Sequence, residues 1–225
     1  MLYLLRGGLP QRMLPPSFPS SMTVQRYFYA WRNAGVWQTI NHYLLMAIRE
    51  AEGREASPNA SVIDSQSVKI AESSGVRGYD AGKKIKGRKR HILTDTCGYL
   101  VRVVVHGAGS QDRDGAPFVL TDIGTRFPWL RHVFADGGYA GDKLRGALTA
   151  IGTSTLEIIK RSDAAKGFHT LPRRWIVERR FALLGRNRRL AKELENTTES
   201  ATTWLFMASV QLITRKLVSS CSYTG

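Results

Sequence analysis

The chain has 225 residues, 43% of them hydrophobic, with 33 Lys and Arg against 18 Asp and Glu, a formal net charge of +15. That length accommodates one large α/β domain, or a domain with a smaller helical appendage. The charge points to a polyanionic partner, and its uneven placement (net +3, +5, +1 and +6 over residues 1–60, 61–110, 111–170 and 171–225) suits a groove with basic walls.

Residues 1–22 open with MLYLLRGGLPQRML, whose apolar run of four is too short for a signal peptide. No later segment approaches the twenty apolar residues of a membrane span, so no membrane partner is expected. A helix is expected from Thr23 to about Gly53, capped by Thr23 or Ser21, with Gly35 placed to break it in two. Arg26 and Arg32 among its aromatics could lie on DNA; a helical pair burying those aromatics is the plainer reading. GREASPNAS (53–61) reads as a polar linker between a helical segment, 1–55, and a second domain, 56–220.

Ser61–Asp64 reads as a short strand ending in a carboxylate, followed by a loop over 70–82. Lys83–Arg90, KKIKGRKR, has six basic residues in eight. It fits a solvated strand edge that resists aggregation, a localisation signal, or a nucleic-acid contact. A strand pair follows, RHILTD and YLVRVVVHG, turning at Thr96-Cys97-Gly98. Cys97 and Cys221 are too few for a disulfide framework or zinc site, and the five histidines lack ligand spacing, so a soluble protein of a reducing compartment is expected. GSQDRDGAPF leads into a helix with Asp112 and Asp114 as candidate caps. RHVFAD is a second strand ending in a carboxylate, Asp136, with a helix starting at Asp142. TLEIIKR (155–161) is a buried strand, SDAAKGFHT a loop, and Thr202–Val218 a final apolar packing helix.

Between these last two lies LPRRWIVERRFALLGRNRRLAKELE, a helix with Pro172 in its first turn. At 100° per residue Glu178 falls on the line of Trp175, Phe181, Ala182 and Gly185, with Val177 and Leu184 beside it. A carboxylate on that stripe needs a partner. Arg174, four residues back, offers an ion pair; a metal shared with other carboxylates is the alternative. Asp64, Asp136 and Glu178 together suggest an acidic hole in a basic surface, suited to two Mg²⁺ ions acting on a phosphodiester, with Lys and Arg walls on the nucleic-acid backbone.

The strings IDSQSVK, RGYDAGKKIKGRKRHILTD, ADGGYAG, LEIIKRSD, KGF and LPRRWIVERRFALLGRNRRLAKE, in this order from about residue 3 to Leu217, closely resemble the IS5-family insertion-sequence transposases of bacteria. The resemblance implies an α/β, RNase H-like mixed sheet flanked by helices, with a short N-terminal helical segment. It implies a catalytic, metal-holding triad of Asp64, Asp136 and Glu178, spaced by 72 and 42 residues, and two Mg²⁺ ions, with Mn²⁺ as substitute. The partners implied are double-stranded DNA (the terminal inverted repeats of the element and a target) and further copies of the chain assembled on it, in the bacterial cytoplasm at the nucleoid. Phosphate contacts are expected from Lys83, Lys84, Lys86, Arg88, Lys89, Arg90, Arg174, Arg179 and Arg186. Related transposases carry Tyr and Arg seven and four residues before the Glu and a basic residue seven after. Arg174 fits, Leu171 replaces the Tyr, and Gly185 stands at the last position with Arg186 beside it. Relatives also carry several dozen helical residues before the stretch matching LYLLRGG, so a start inside that region is expected. A nuclease of this fold without strand transfer and an inactive DNA-binding remnant remain alternatives.

Overall fold

A computed structural model gives the structure of residues 1–71, 75–142, 145, 146, 149, 155–159 and 174–221. After a short helix α1 (Leu2–Gly7), Ser20 opens α2 (Ser21–Asn33): its hydroxyl accepts the Thr23 N–H at 3.3 Å, so the cap is Ser20 and neither Ser21 nor Thr23. Gly35, with φ 64°, takes the left-handed conformation that a Cβ would penalise, and α3 (Val36–Ala51) starts beyond it. The break expected at Gly35 is therefore present.

The sheet holds β1 (Ala60–Lys69), β2 (Gly78–Asp80), β3 (Ile85–Asp95), β4 (Leu100–Gly107), β5 (His132–Asp136) and β6 (Thr155–Ile159). β3 pairs antiparallel with β1 along its length and with β2 and β4 on its other edge; β5 joins β1 in parallel, and β6 joins β5. Three expectations change. The loop expected over 70–82 contains β2, which pairs with β3 from Gly78↔Gly87 to Asp80↔Ile85. β1 runs ten residues rather than four, so Asp64 sits mid-strand; its polar continuation Ser65-Gln66-Ser67 lacks apolar alternation but is held by β3 from Ser61↔Asp95 to Lys69↔Gly87. The basic run starts in the turn at Lys83-Lys84 and from Ile85 on forms the start of β3, an interior strand and not an edge. Residues 160–161, the SDAAKGFHT loop and Pro172 lie outside the described residues. Asp142 is helical as expected.

Helices flank both faces: α4 (Asp112–Leu120) and α5 (Ile123–Arg126) precede β5, and α6 (Arg174–Gly185), α7 (Arg188–Ala191) and α8 (Thr198–Cys221) close the chain. Strand alternation sorts the apolar residues into two cores. Val62, Ile92 and Phe134 face α6 and α8, meeting Val177, Phe181 and Trp204. Ile63, Leu93 and Val133 face the other way, onto Val119 and Leu120 of α4 and Leu45 and Ile48 of α3. The N-terminal helices enter both cores, since Leu4, Leu5 and Phe28 join the first, where Phe28 stacks on Trp204 at 4.7 Å. This is the α/β architecture expected: a mixed sheet between helices with an N-terminal helical segment. Among the described residues no helix is long and apolar enough to cross a membrane.

Candidate active site

β1 and β5 run parallel, with Val62 opposite Phe134 in the last paired row. Asp64 and Asp136 lie two residues beyond it on each strand, level with one another, where the ladder has ended. Because side chains alternate, both project to the face of Val62 and Phe134, which is the face covered by α6. A crevice at the carboxyl ends of parallel strands is where open α/β sheets bind ligands.

Local hydrogen bonds orient the pair. The Ser65 N–H donates to Asp64 Oδ1 at 2.7 Å, and the Gly138 N–H donates to Asp136 Oδ1 at 2.9 Å, fixing the 3-10 turn Gly137–Tyr139. A Cβ on Gly138 would stand 3.1 Å from Asp136 Oδ1 and 3.5 Å from Asp112 Oδ2, so a side chain there would crowd both carboxylates. Asp64 is buried and Asp136 half-buried.

Asp112 belongs to this neighbourhood, and sequence reasoning missed it. The pattern GSQDRD marks it as a helix cap, but its Oδ1 accepts from Ser65 Oγ at 2.7 Å and from Lys89 Nζ at 2.8 Å instead. Burial alone would raise its pKa; those two hydrogen bonds and the Lys89 charge win and lower it. Tyr139, fully buried, sits among these acids: burial first, then the charges of Asp64 and Asp112 with a smaller share from Asp136, push its phenol well above the ordinary range. Its OH lies 3.1 Å from His91 Nδ1, and burial plus the neighbouring His106 press His91 down to about 3. His91 is therefore neutral at physiological pH.

Glu178 requires a correction. It is exposed, not on the buried stripe; α6 buries Ile176, Val177, Arg180, Phe181 and Leu184 and leaves Trp175 49% exposed. That set is a continuous i, i+4 arc whose middle falls nearest Leu184, and Glu178 lies about 130° round from that middle. The arc is chosen by Arg180, whose Nε donates to Gly98 O and whose guanidinium stands 5.6 Å from the Tyr99 ring centroid. The buried charge of this helix is thus a cation. Glu178 still lies on the α6 side of the sheet with Asp64 and Asp136. The Arg174 side chain, its expected ion-pair partner, is outside the described residues.

Residues 55–212, 158 of the 225, match the family described as "Transposase DDE domain", and residues 1–41 match a second, "Putative transposase of IS4/5 family". The chain belongs to the DDE transposases, of the IS4/5 type. No curated protein matches it. Membership implies insertion-sequence transposition, DNA binding and divalent metal ions.

The basic run of this transposase divides in two. Lys83, Lys84 and Lys86 are exposed, and Lys83 Nζ reaches Ser65 O at 3.4 Å, on the strand of Asp64. Arg88, Lys89 and Arg90, expected on phosphates, are buried and face inward partners. Arg88 and Arg90 pair with buried Glu193 at 3.6 and 3.2 Å; Lys89 pairs with Asp112 at 2.8 Å and Asp80 at 3.5 Å. The interior position of β3 is the reason, since its side chains are covered on both faces. Arg179 and Arg186 are exposed. The three carboxylates expected from the sequence offer oxygen donors alone, a set that would fit hard divalent cations such as Mg²⁺ or Mn²⁺. Among the described residues no three His, Cys, Asp or Glu side chains form a ready-made metal cage.

Asp80 supplies a pH test of the network behind the site. Burial alone would raise its pKa, but hydrogen bonds from Ser67 Oγ and the Lys83 N–H, with the Lys89 charge, hold it at about 2. A carboxyl depressed on folding contributes stability above its ordinary value near 4 and loses it as pH falls through 2. Asp80→Asn should cost about 2 kcal/mol at pH 7. Denaturation curves of the two proteins should converge between pH 4 and 2; a constant difference across that window would assign the loss to packing.

Proposed function

We propose that this transposase, of an IS5-type insertion sequence, cuts DNA at the element's terminal inverted repeats and joins the freed 3′-OH to target DNA, with Asp64, Asp136 and Glu178 as the metal-holding carboxylates. The observation that carries this reading is the level placement of Asp64 and Asp136 beyond the last paired row of two parallel strands. Bound there, two Mg²⁺ ions would supply an activated oxygen nucleophile and charge stabilisation of the leaving oxygen. The protein's own residues do the positioning. The Ser65 and Gly138 N–H groups lock the two Asp rotamers, and Asp112 anchors Ser65 from behind. The exposed Lys83, Lys84, Lys86, Arg179 and Arg186, with Arg174, would hold the DNA backbone around the acidic hole. Joining two ends requires both to be present at once, so catalysis takes place in a homo-oligomer assembled on DNA.

The test is a paired assay: cleavage of a terminal-repeat duplex, then joining of a pre-cut end to a plasmid. Cleavage without joining would make the protein a nuclease of the same fold, and neither activity in any divalent ion would leave a DNA-binding remnant. Neutralising Lys83, Lys84 and Lys86 should weaken binding to every duplex alike. It should also flatten the log–log salt dependence by about 0.9 for each phosphate that the lysines had neutralised. An unchanged slope in a filter-binding titration would mark the three lysines as a solvated turn and strand start.

A further inference from the structure

On the helix that carries Glu178, α6 meets α8 and the β3–β4 turn in a small cleft of about 130 Å³. Its walls are cationic and apolar: Arg179, Arg180 and Lys216 over Tyr99, with Ile176 and Leu183. Arg180 is the unusual member. It is 5% exposed, and among the described residues its hydrogen bond runs from Nε to Gly98 O, while its two terminal nitrogens have no acceptor. A guanidinium is the side chain least suited to burial without an anion, because five N–H donors and a full charge lose their water.

The surrounding carboxylates are already paired, Asp95 outside the cleft and Glu52 with the cleft's own Lys216. Asp95 binds Arg49 at 2.5 Å and accepts the Cys97 and Tyr99 N–H groups. Glu52 accepts from Lys216 and the Tyr99 hydroxyl. Burial, only partly offset by Asp95 and Tyr99, depresses the Arg180 pKa to about 10, the direction expected of a buried cation short of negative charge. The planar fork of Arg180, beside the long, flexible stem of Arg179, matches the oxygens of a tetrahedral anion.

We propose that this cleft is a binding site for a phosphate group, with Arg180 as its buried anchor and Arg179 as its rim. A phosphodiester of the DNA backbone is one source of that group and a free phosphate the other; the DNA source rests on the function proposed above, whereas the cleft's affinity for phosphate does not. A DNA phosphate seated here would place the backbone against α6, the helix that carries Glu178.

Two arms separate these cases, using the whole chain and two variants, Arg180→Gln and Arg179→Gln, the second at an exposed position so that folding is preserved. In the first arm, inorganic phosphate should raise the melting temperature of the wild type and raise it less in either variant. In the second, a random-sequence duplex should bind each variant roughly tenfold more weakly, as expected when one charge-assisted hydrogen bond is removed. The salt slope should fall by about 0.9. A response in both arms supports a backbone phosphate site, and a response to phosphate alone supports a site for a free phosphate. Equal phosphate stabilisation and equal salt slopes in wild type and Arg179→Gln, with the same result for any folded Arg180→Gln, would overturn the proposal. A wild type that ignores duplex DNA but responds to phosphate would count against the proposed function and not against the cleft.

Discussion

Glu193→Gln should cost about 3–5 kcal/mol of folding stability, the largest single-residue loss expected outside the apolar cores. Glu193 is 2% exposed and faces two guanidiniums that are themselves sealed from water, Arg88 at 0% and Arg90 at 3%. Arg88 has other acceptors, the carbonyls of Val76, Asn196 and Thr197. Arg90 has Leu190 O, while its Nε lacks a partner. Carbonyl dipoles do not neutralise two cations, so the carboxylate is the group that makes their burial tolerable. Its backbone also stitches the chain after α7 to β1, through Glu193 N–H to Lys69 O at 2.9 Å and Ala71 N–H to Glu193 O at 2.8 Å. Gln keeps the shape and those backbone bonds, which isolates the charge. Urea denaturation at neutral pH measures the loss. A cost below about 1 kcal/mol would mean that water reaches the two arginines and that the pair is no more than a surface ion pair.

The second large effect is on activity. Asp64→Asn and Asp136→Asn should each lower metal-dependent cleavage at least about a thousandfold, a barrier increase of about 4 kcal/mol, because a carboxamide keeps the shape and removes the charge that holds a cation. Stability should move little, since the two carboxylates are neighbours of like charge and neutralising one relieves repulsion. Duplex binding should persist, because the backbone contacts come from the basic rim. Rate, melting temperature and duplex affinity measured on the same samples separate these effects. A variant that loses activity together with several degrees of melting temperature would point to a structural role instead.

Much of this architecture is legible in the residues. Gly35 divides the N-terminal helices because a left-handed position is cheap only for glycine. RHVFAD ends its strand at Asp136 because two glycines follow and the carboxylate caps the turn they make. Three features are not legible locally, each for a physical reason. The basic run looks uniform along the chain, yet β3 is interior, so its first lysines lie on the surface while Arg88, Lys89 and Arg90 go inside to Glu193, Asp112 and Asp80. Glu178 shares a helical line with Trp175 and Phe181, yet the buried arc is set by what the sheet offers across the interface, and Gly98 O draws in Arg180. Asp112 satisfies the rule for a cap, but Ser65 and Lys89, 47 and 23 residues away, provide better partners than its own helix. Each miss is a long-range partner outcompeting a local preference.

Glu178 is the decisive member of the proposed triad, because it stands apart from the Asp64–Asp136 pair in chain and in burial. The direct test is the rate of Mg²⁺-dependent cleavage of a terminal-repeat duplex by Glu178→Gln beside wild type. An exposed Glu held only in a surface ion pair is worth at most about 1 kcal/mol of stability and nothing to the chemistry. With Glu178 as the third metal-holding carboxylate, cleavage should fall at least about a thousandfold, with melting temperature and duplex affinity unchanged. Cleavage by Glu178→Gln at the wild-type rate would contradict that role and leave Asp64 and Asp136 without their third carboxylate.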